Sequence, residues 1–268
     1  MQATNVAPNR PLRGAAGPAS PVEVRMRDRT GVASAPGGRR PGFGTPAATV
    51  MDTLRQVPFF AALPDAHLAQ VAAIARSKKF PRNAVILSQG DASDSLYIIA
   101  AGRIKVVISD GEGREVILSM LGPGQFFGEM ALVDDHPRSA NIETMEASEF
   151  VVVNKEDFKR FLAQNFDMTL AFMRELVRRL READKKIESL ALMDVYDRVV
   201  RLLVDMAEDA GDGRLIIRRR LTRQDIARMI GASREMVSRV MKDLVEMNHV
   251  SLRGTTIVLH GNLTRTTR

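Results

Sequence analysis

The sequence predicts an α+β fold in three parts: an N-terminal β barrel or double-sheet jelly roll, one long amphipathic helix, and a C-terminal winged helix-turn-helix. Three observations carry this. Between residues 84 and 153 the apolar residues come in short runs cut by turns, the pattern of many closely spaced strands. Between 166 and 193 there is no Pro or Gly, and the apolar residues fall at heptad spacing. Between 221 and 240 two short helical segments flank a Gly, each opened by a capping residue.

Residues 1–48 hold seven Pro and seven Gly and no periodic apolar pattern, which predicts a disordered tail. The jelly-roll region spans 49–165. A helical pattern runs from Thr49 to Arg76, broken at Val57-Pro58 and restarted at Leu63-Pro64-Asp65. Strands follow at 84–87, 95–99, 103–108, 115–118 and 149–153, with turns at Gly90, Gly102, Gly111, Gly113, Gly122 and Gly124. A short helix is expected over 155–165.

The helix over 166–193 carries Met173, Leu176, Leu180, Ala183, Ile187 and Leu190 at spacings alternating three and four. Basic residues crowd its flanks. A stripe that narrow suits a seam with a second copy of the chain, so a homodimer is expected. Residues 194–268 form the last domain. Thr222 and Asp225 make a start resembling a capping box, Gly231 suits a left-handed helix end, and Ser233 caps the second helix. Arg234, Glu235, Ser238 and Arg239 share a polar face there, while Val237, Val240 and Leu244 face inward. Arg can take guanine O6 and N7 with two bonds and Glu can accept from cytosine N4, so this face suits a DNA groove. A hairpin over 249–259 would be the wing.

Charge agrees with that placement. Residues 1–50 carry seven Arg against two acids, 51–193 carry 18 bases against 20 acids, and 194–268 carry 14 against 10. Base concentrated at the ends favours a polyanionic partner. The chain has no Cys, which excludes disulfides, Cys-ligated zinc and thiolate-bound clusters. His67, His136, His249 and His260 lack metal-ligand spacing, so no metal is expected. There is no nucleophile–base pair or Walker sequence, and no enzymatic activity is expected. No apolar run approaches 18 residues and the start lacks a secretion-signal core, so no membrane association and a cytoplasmic location are expected.

The stretch Phe126-Phe127-Gly128-Glu129-Met130-Ala131-Leu132, with Pro137-Arg138-Ser139-Ala140, reads as an anion-binding loop. Gly128 permits close approach of backbone, the amides of Met130 and Ala131 can face an anion, and Arg138 and Ser139 add donors. Glu129 is an acceptor suited to a ribose hydroxyl.

This segment resembles the phosphate-binding cassette of cyclic-nucleotide-binding domains. Together with the long helix and the winged helix-turn-helix it resembles, over about residues 50–260, the CRP/FNR family of bacterial transcription regulators. The resemblance implies that Gly128, Glu129, Met130, Arg138 and Ser139 hold cyclic phosphate and ribose, and that Arg179 on the long helix faces the pocket. It implies base reading by Arg234, Glu235 and Arg239, and phosphate contacts by Thr222, Arg223 and Ser233. Double-stranded DNA with an inverted-repeat operator and RNA polymerase are the implied partners. One departure stands out: relatives that bind cAMP place Thr-Ser where this chain has Ala183-Asp184. A carboxylate pairs well with the two donors on guanine's edge, so Asp184 leans towards cyclic GMP or cyclic di-GMP. The alternative is a solvated flank paired with lysine of the second copy. The effector thus stays open between cAMP, cGMP and cyclic di-GMP. A ligand-independent regulator is the competing reading, and a haem or redox sensor is disfavoured by the missing Cys.

Overall fold

The computed structural model describes residues 46–268 except 93, 212–213, 219, 261–262 and 264–268. The basic tail and the last residues therefore lie outside the described residues. Three helices open the described residues: α1 (Pro46–Arg55), α2 (Pro58–Ala61) and α3 (Asp65–Ile74). Eight strands follow: β1 (Arg76–Phe80), β2 (Val85–Leu87), β3 (Ser95–Ala101), β4 (Ile104–Ser109), β5 (Glu115–Leu121), β6 (Phe126–Phe127), β7 (Asn141–Thr144) and β8 (Ser148–Asn154). The turn α4 (Met130–Val133) separates β6 from β7. The strands form two antiparallel sheets, ordered β1-β8-β3-β6 and β2-β7-β4-β5.

Strands β3 and β8 explain why their sequences read as unbroken apolar runs. Alternate side chains leave a strand on opposite faces. Leu96, Ile98, Val151 and Val153 enter the core under the helices. Tyr97, Ile99, Phe150 and Val152 enter the core between the sheets. Both faces are buried, so neither strand alternates with polar residues. Phe59 of α2 meets Phe126, Phe158 and Phe172 edge to face at 4.9–6.0 Å, joining four elements around one aromatic cluster.

The helix α5 (Lys155–Gln164) is capped by Asn154, whose side chain accepts from the Glu156 amide. The long helix α6 (Phe166–Leu192) buries Met168 and Phe172 in the barrel core. Further along, Met173, Leu180, Ala183, Ile187 and Leu190 are exposed on the single chain, and Leu176 packs partly on the core. Among the described residues no helix is long and apolar enough to cross a membrane.

The last part comprises α7 (Val195–Met206), β9 (Glu208–Asp209), β10 (Leu215–Ile217), α8 (Arg223–Ile230), α9 (Arg234–Glu246), β11 (Val250–Arg253) and β12 (Thr256–Leu259). Its sheet runs β11-β12-β10-β9. Asp194 caps α7 by accepting from the Asp197 amide. The helices and sheet enclose one core built on Val199, Leu203, Ile226, Val237, Met241 and Leu244.

Several elements differ from the sequence expectation. Arg76 opens strand β1 rather than closing a helix, and β1 is polar and mostly exposed. A Lys-bearing strand at a sheet edge needs little apolar surface, and charge there blocks pairing with other chains. The two-residue strands β6 and β9 are too short to show a period. β7 follows the cassette at once and alternates Ile142 and Thr144 inward, a signal hidden by polar Asn141 and Glu143. Helix α7 ends at Met206, where the chain turns into the short strand β9.

Candidate nucleotide pocket and nucleic-acid interface

A cavity of about 190 Å³ opens between the barrel and α6. Its floor is apolar, from Leu87, Val106, Leu121, Phe127 and Ile142. Glu129, Arg138, Ser139 and Arg179 supply its polar side chains, with Gly128, Met130 and Ala131 lining it between them. Gly128 sits at φ 87°, in the left-handed region. A Cβ there would lie 2.4 Å from Arg138 Nη1 and 3.1 Å from the Ser95 carbonyl oxygen, so only Gly lets the guanidinium pass.

Arg138 is 5% exposed. Its Nη1 donates to the Gly128 carbonyl and its Nη2 to the Ser95 carbonyl, both at 2.9 Å. A guanidinium has five N–H donors, so three have no partner among the described residues. Its Nε is buried with no hydrogen-bond partner among the described residues. Burial pulls the Arg138 pKa below its ordinary value, and Tyr97, Asp94 and Glu129 oppose that pull. A buried cation held by neutral carbonyls with donors to spare is a site for an anion.

Glu129 is 7% exposed and accepts from Arg179 Nη1 at 2.8 Å. Arg179 reaches across from α6; its Nη2 donates to the Phe126 carbonyl at 2.7 Å, and its guanidinium lies 3.9 Å from the Phe126 ring centroid. This arginine therefore ties the long helix to the cassette through a charge pair, a carbonyl and an aromatic face. In α4 the amides of Leu132 and Val133 donate back to the Glu129 carbonyl. The Ser139 hydroxyl is exposed and lies 3.7 Å from Met130 Sδ. Asp184 is exposed and is not part of this cavity on the single chain. Of the apolar floor, sequence reading singled out only Phe127, within the cassette; Leu87 and Val106 fell inside expected strands, and Leu121 and Ile142 fell outside them.

The second site lies on the C-terminal part. Thr222 and Asp225 form a reciprocal capping box: Thr222 Oγ1 accepts from the Asp225 amide, and Asp225 Oδ2 accepts from the Thr222 amide, both at 3.1 Å. Gly231 ends α8 at φ 64°, and Ser233 caps α9 by accepting from the Met236 amide. These stops set the turn between the helices. Val237, Val240, Met241 and Leu244 are buried, and Arg234, Glu235, Ser238 and Arg239 are exposed on α9. The Ser238 hydroxyl donates to the Arg234 carbonyl at 2.8 Å, so it is engaged within the helix. The Glu235 carboxyl is held below its ordinary range by its own amide and the Ser233 hydroxyl, and stays ionised. Arg223 is half-buried, which lowers its pKa. Beside it a groove of about 440 Å³ runs between the start of α8 and the wing, lined by Arg220, Thr222, Arg223, Gly254, Thr255 and Thr256. The wing residues in this groove were not singled out from the sequence, because two Thr and a Gly at a hairpin tip look like any turn. Among the described residues no His, Asp or Glu group could hold a metal ion.

A jelly roll with a buried arginine–carboxylate cavity, joined by a long helix to a winged helix-turn-helix, defines a cyclic-nucleotide-binding transcription regulator with a DNA-binding domain. Comparison with known proteins agrees. The cyclic nucleotide-binding domain family matches residues 77–165, and the Crp-like helix-turn-helix domain family matches residues 197–261. The cAMP-activated global transcriptional regulator CRP of Salmonella typhimurium is 34% identical over 189 residues, 68% of this chain and 89% of that protein. The cAMP-activated regulator Vfr of Pseudomonas aeruginosa is 32% identical over 204 residues, 73% of this chain and 94% of that one. Among solved structures, the c-di-GMP responsive global regulator CLP of Xanthomonas campestris superposes with a TM-score of 0.61 at 29% identity, covering 70% of this chain and 95% of that chain. The chain belongs to the CRP/FNR family of transcription regulators.

Proposed function

We propose that this chain is a homodimeric, sequence-specific DNA-binding regulator gated by a cyclic mononucleotide seated between the barrel and α6. The carrying observation is the buried Arg138, with three donors unpaired among the described residues, lining one cavity with the buried Glu129. One guanidinium for one phosphate and one carboxylate for one ribose hydroxyl match a single sugar-phosphate unit, which favours cAMP or cGMP over cyclic di-GMP. The CRP relatives are cAMP-activated and the Xanthomonas regulator responds to c-di-GMP, so both classes belong in the test. Asp184 selects guanine only if dimer formation carries it to the base edge.

The exposed stripe Met173, Leu180, Ile187 and Leu190 on α6, which a second copy would cover, supports dimerisation. Two symmetry-related copies of α9 read an inverted repeat whose half-sites lie about one helical turn apart, roughly 34–36 Å. Arg234, Glu235 and Arg239 contact bases, and Thr222, Arg223 and Ser233 contact phosphates. The regulator acts in the cytoplasm, with RNA polymerase as a further partner. Calorimetric titration with cAMP, cGMP and cyclic di-GMP, followed by selection from random duplex DNA, tests the reading. Saturable binding of a mononucleotide and recovery of an inverted repeat are expected. No binding of any of the three, or recovery of a direct repeat, contradicts it.

A further inference from the structure

Strand β5 stands at an edge of its sheet, paired among the described residues only with β4. An exposed edge invites pairing with other chains, and natural proteins often cover it with a helix. Here the cover is α8, the first helix of the helix-turn-helix. The two are joined by an ion pair: Arg228 Nη1 lies 2.7 Å from Glu115 Oε2, with each side chain less than a third exposed. Met120 of the same strand packs against the core of the C-terminal domain.

The other side of β5 belongs to the nucleotide cavity. Leu118, Ser119 and Leu121 line it. A strand normally sends neighbours to opposite faces, but β5 carries a bulge: Val106 pairs with Ser119 and Val107 with Ile117, which leaves Leu118 as an extra residue. The carbonyl of that extra residue accepts from Lys186 Nζ of α6. One seven-residue strand thus touches the cavity, the long helix and the DNA-binding domain. Leu190 of α6 lies against the turn glycine Gly231, so the helix meets the same domain beside the strand.

We propose that β5 is a coupling element between the two sites, and that the Glu115–Arg228 pair holds the helix-turn-helix to it. Seating a nucleotide against Leu118 and Ser119 shifts the bulge, and the ion pair passes that shift to α8. Coupling of this kind needs one element whose arrangement both sites bias. The proposal rests on the cavity being the nucleotide site. It assigns a regulatory role to two side chains that touch neither ligand.

The test uses the full chain in three forms: parent, Arg228→Ala, and the exchanged pair Glu115→Arg with Arg228→Glu. DNA affinity is measured by fluorescence anisotropy without nucleotide and with saturating cAMP, cGMP or cyclic di-GMP. Hydrogen exchange is followed in parallel. Arg228→Ala is expected to bind nucleotide as the parent does, yet to lose about threefold or more of the factor by which nucleotide changes DNA affinity. Its amides in β5 and α8 are expected to exchange faster, with the rest of the barrel unchanged. The exchanged pair is expected to recover both properties. An unchanged factor in Arg228→Ala, or a loss that the exchanged pair does not recover, overturns the proposal while the functional reading stands. If the parent binds none of the three nucleotides, the functional reading falls and exchange alone decides the hold: faster exchange confined to β5 and α8 supports it, and parent-like exchange overturns it.

Discussion

The cavity and helix α9 both present arginine beside glutamate, yet the two settings of the pair are opposite. In the cavity Arg138 and Glu129 are buried, and each is already held by protein atoms. On α9 Arg234, Glu235 and Arg239 are exposed. A buried charge must be compensated before the ligand arrives, because an unpaired one costs several kcal/mol. An exposed charge is solvated and can wait for its partner. The lesson is that the first site is built into the barrel's stability, while the second is a surface that can change without disturbing the fold. The glycines show the same contrast. Gly128 cannot gain a Cβ without striking Arg138, whereas a Cβ on Gly231 would meet Leu190 at an ordinary 3.5 Å, so its φ alone calls for glycine.

The largest effect is expected at the buried pair. Arg138→Ala removes the guanidinium from a desolvated site and should weaken nucleotide binding by about 2–5 kcal/mol, by analogy with buried interface pairs. It should also loosen the cassette, since the Gly128 and Ser95 carbonyls lose a donor. Calorimetry and thermal unfolding read the two effects separately. Parent-like nucleotide affinity in a folded variant would break the comparison.

A smaller effect is expected on α9. Arg239→Ala should cost about 1–3 kcal/mol on the preferred site and relax the preference at one G per half-site, leaving thermal stability unchanged. Arg223→Ala should weaken all sequences alike and lower the salt dependence of binding by about one phosphate contact. Equal loss of specificity in both variants would show that base and phosphate contacts are not divided as proposed.

The smallest effect concerns the outer edge of the cassette. Asp135 is exposed, and side-chain bonds from Lys155 and Lys159 lower its pKa from 3.8 to about 2. A carboxyl with a depressed folded pKa contributes stability above its unfolded value, and that contribution is lost as pH falls through the folded one. Asp135→Asn should therefore be slightly less stable than the parent at neutral pH. The difference should close between about pH 4 and pH 2, read from melting temperatures across that range. A difference constant with pH would show that the charge plays no part.

What could be read from the sequence follows the physical signals. The helix-turn-helix was legible because each boundary has a chemical marker: a reciprocal cap at Thr222, a left-handed Gly231, a serine cap at Ser233. The cassette residues were legible as a motif, and the structure gathers them around one cavity. What stayed hidden had no local marker. The polar edge strand β1 shows no apolar period, and the bulge at Leu118 appears only once β5 is paired with β4. The contact of Arg179 with Glu129 spans 50 residues, and sequence alone gives neither its distance nor its use of the Phe126 face. Asp184 shows the limit from the other side. Its chemistry suggested a base contact, but its helical position turns it to solvent on the single chain.

The central claim is that a small anionic ligand in the barrel changes DNA binding by the C-terminal helices. The most direct measurement is the DNA affinity of the full-length parent on its selected inverted repeat, by fluorescence anisotropy, with and without each cyclic nucleotide. One cyclic mononucleotide should change the affinity by roughly 5–150-fold, the usual range of coupling between sites. Tight, specific binding that none of cAMP, cGMP or cyclic di-GMP alters would contradict it and leave a regulator that acts without an effector.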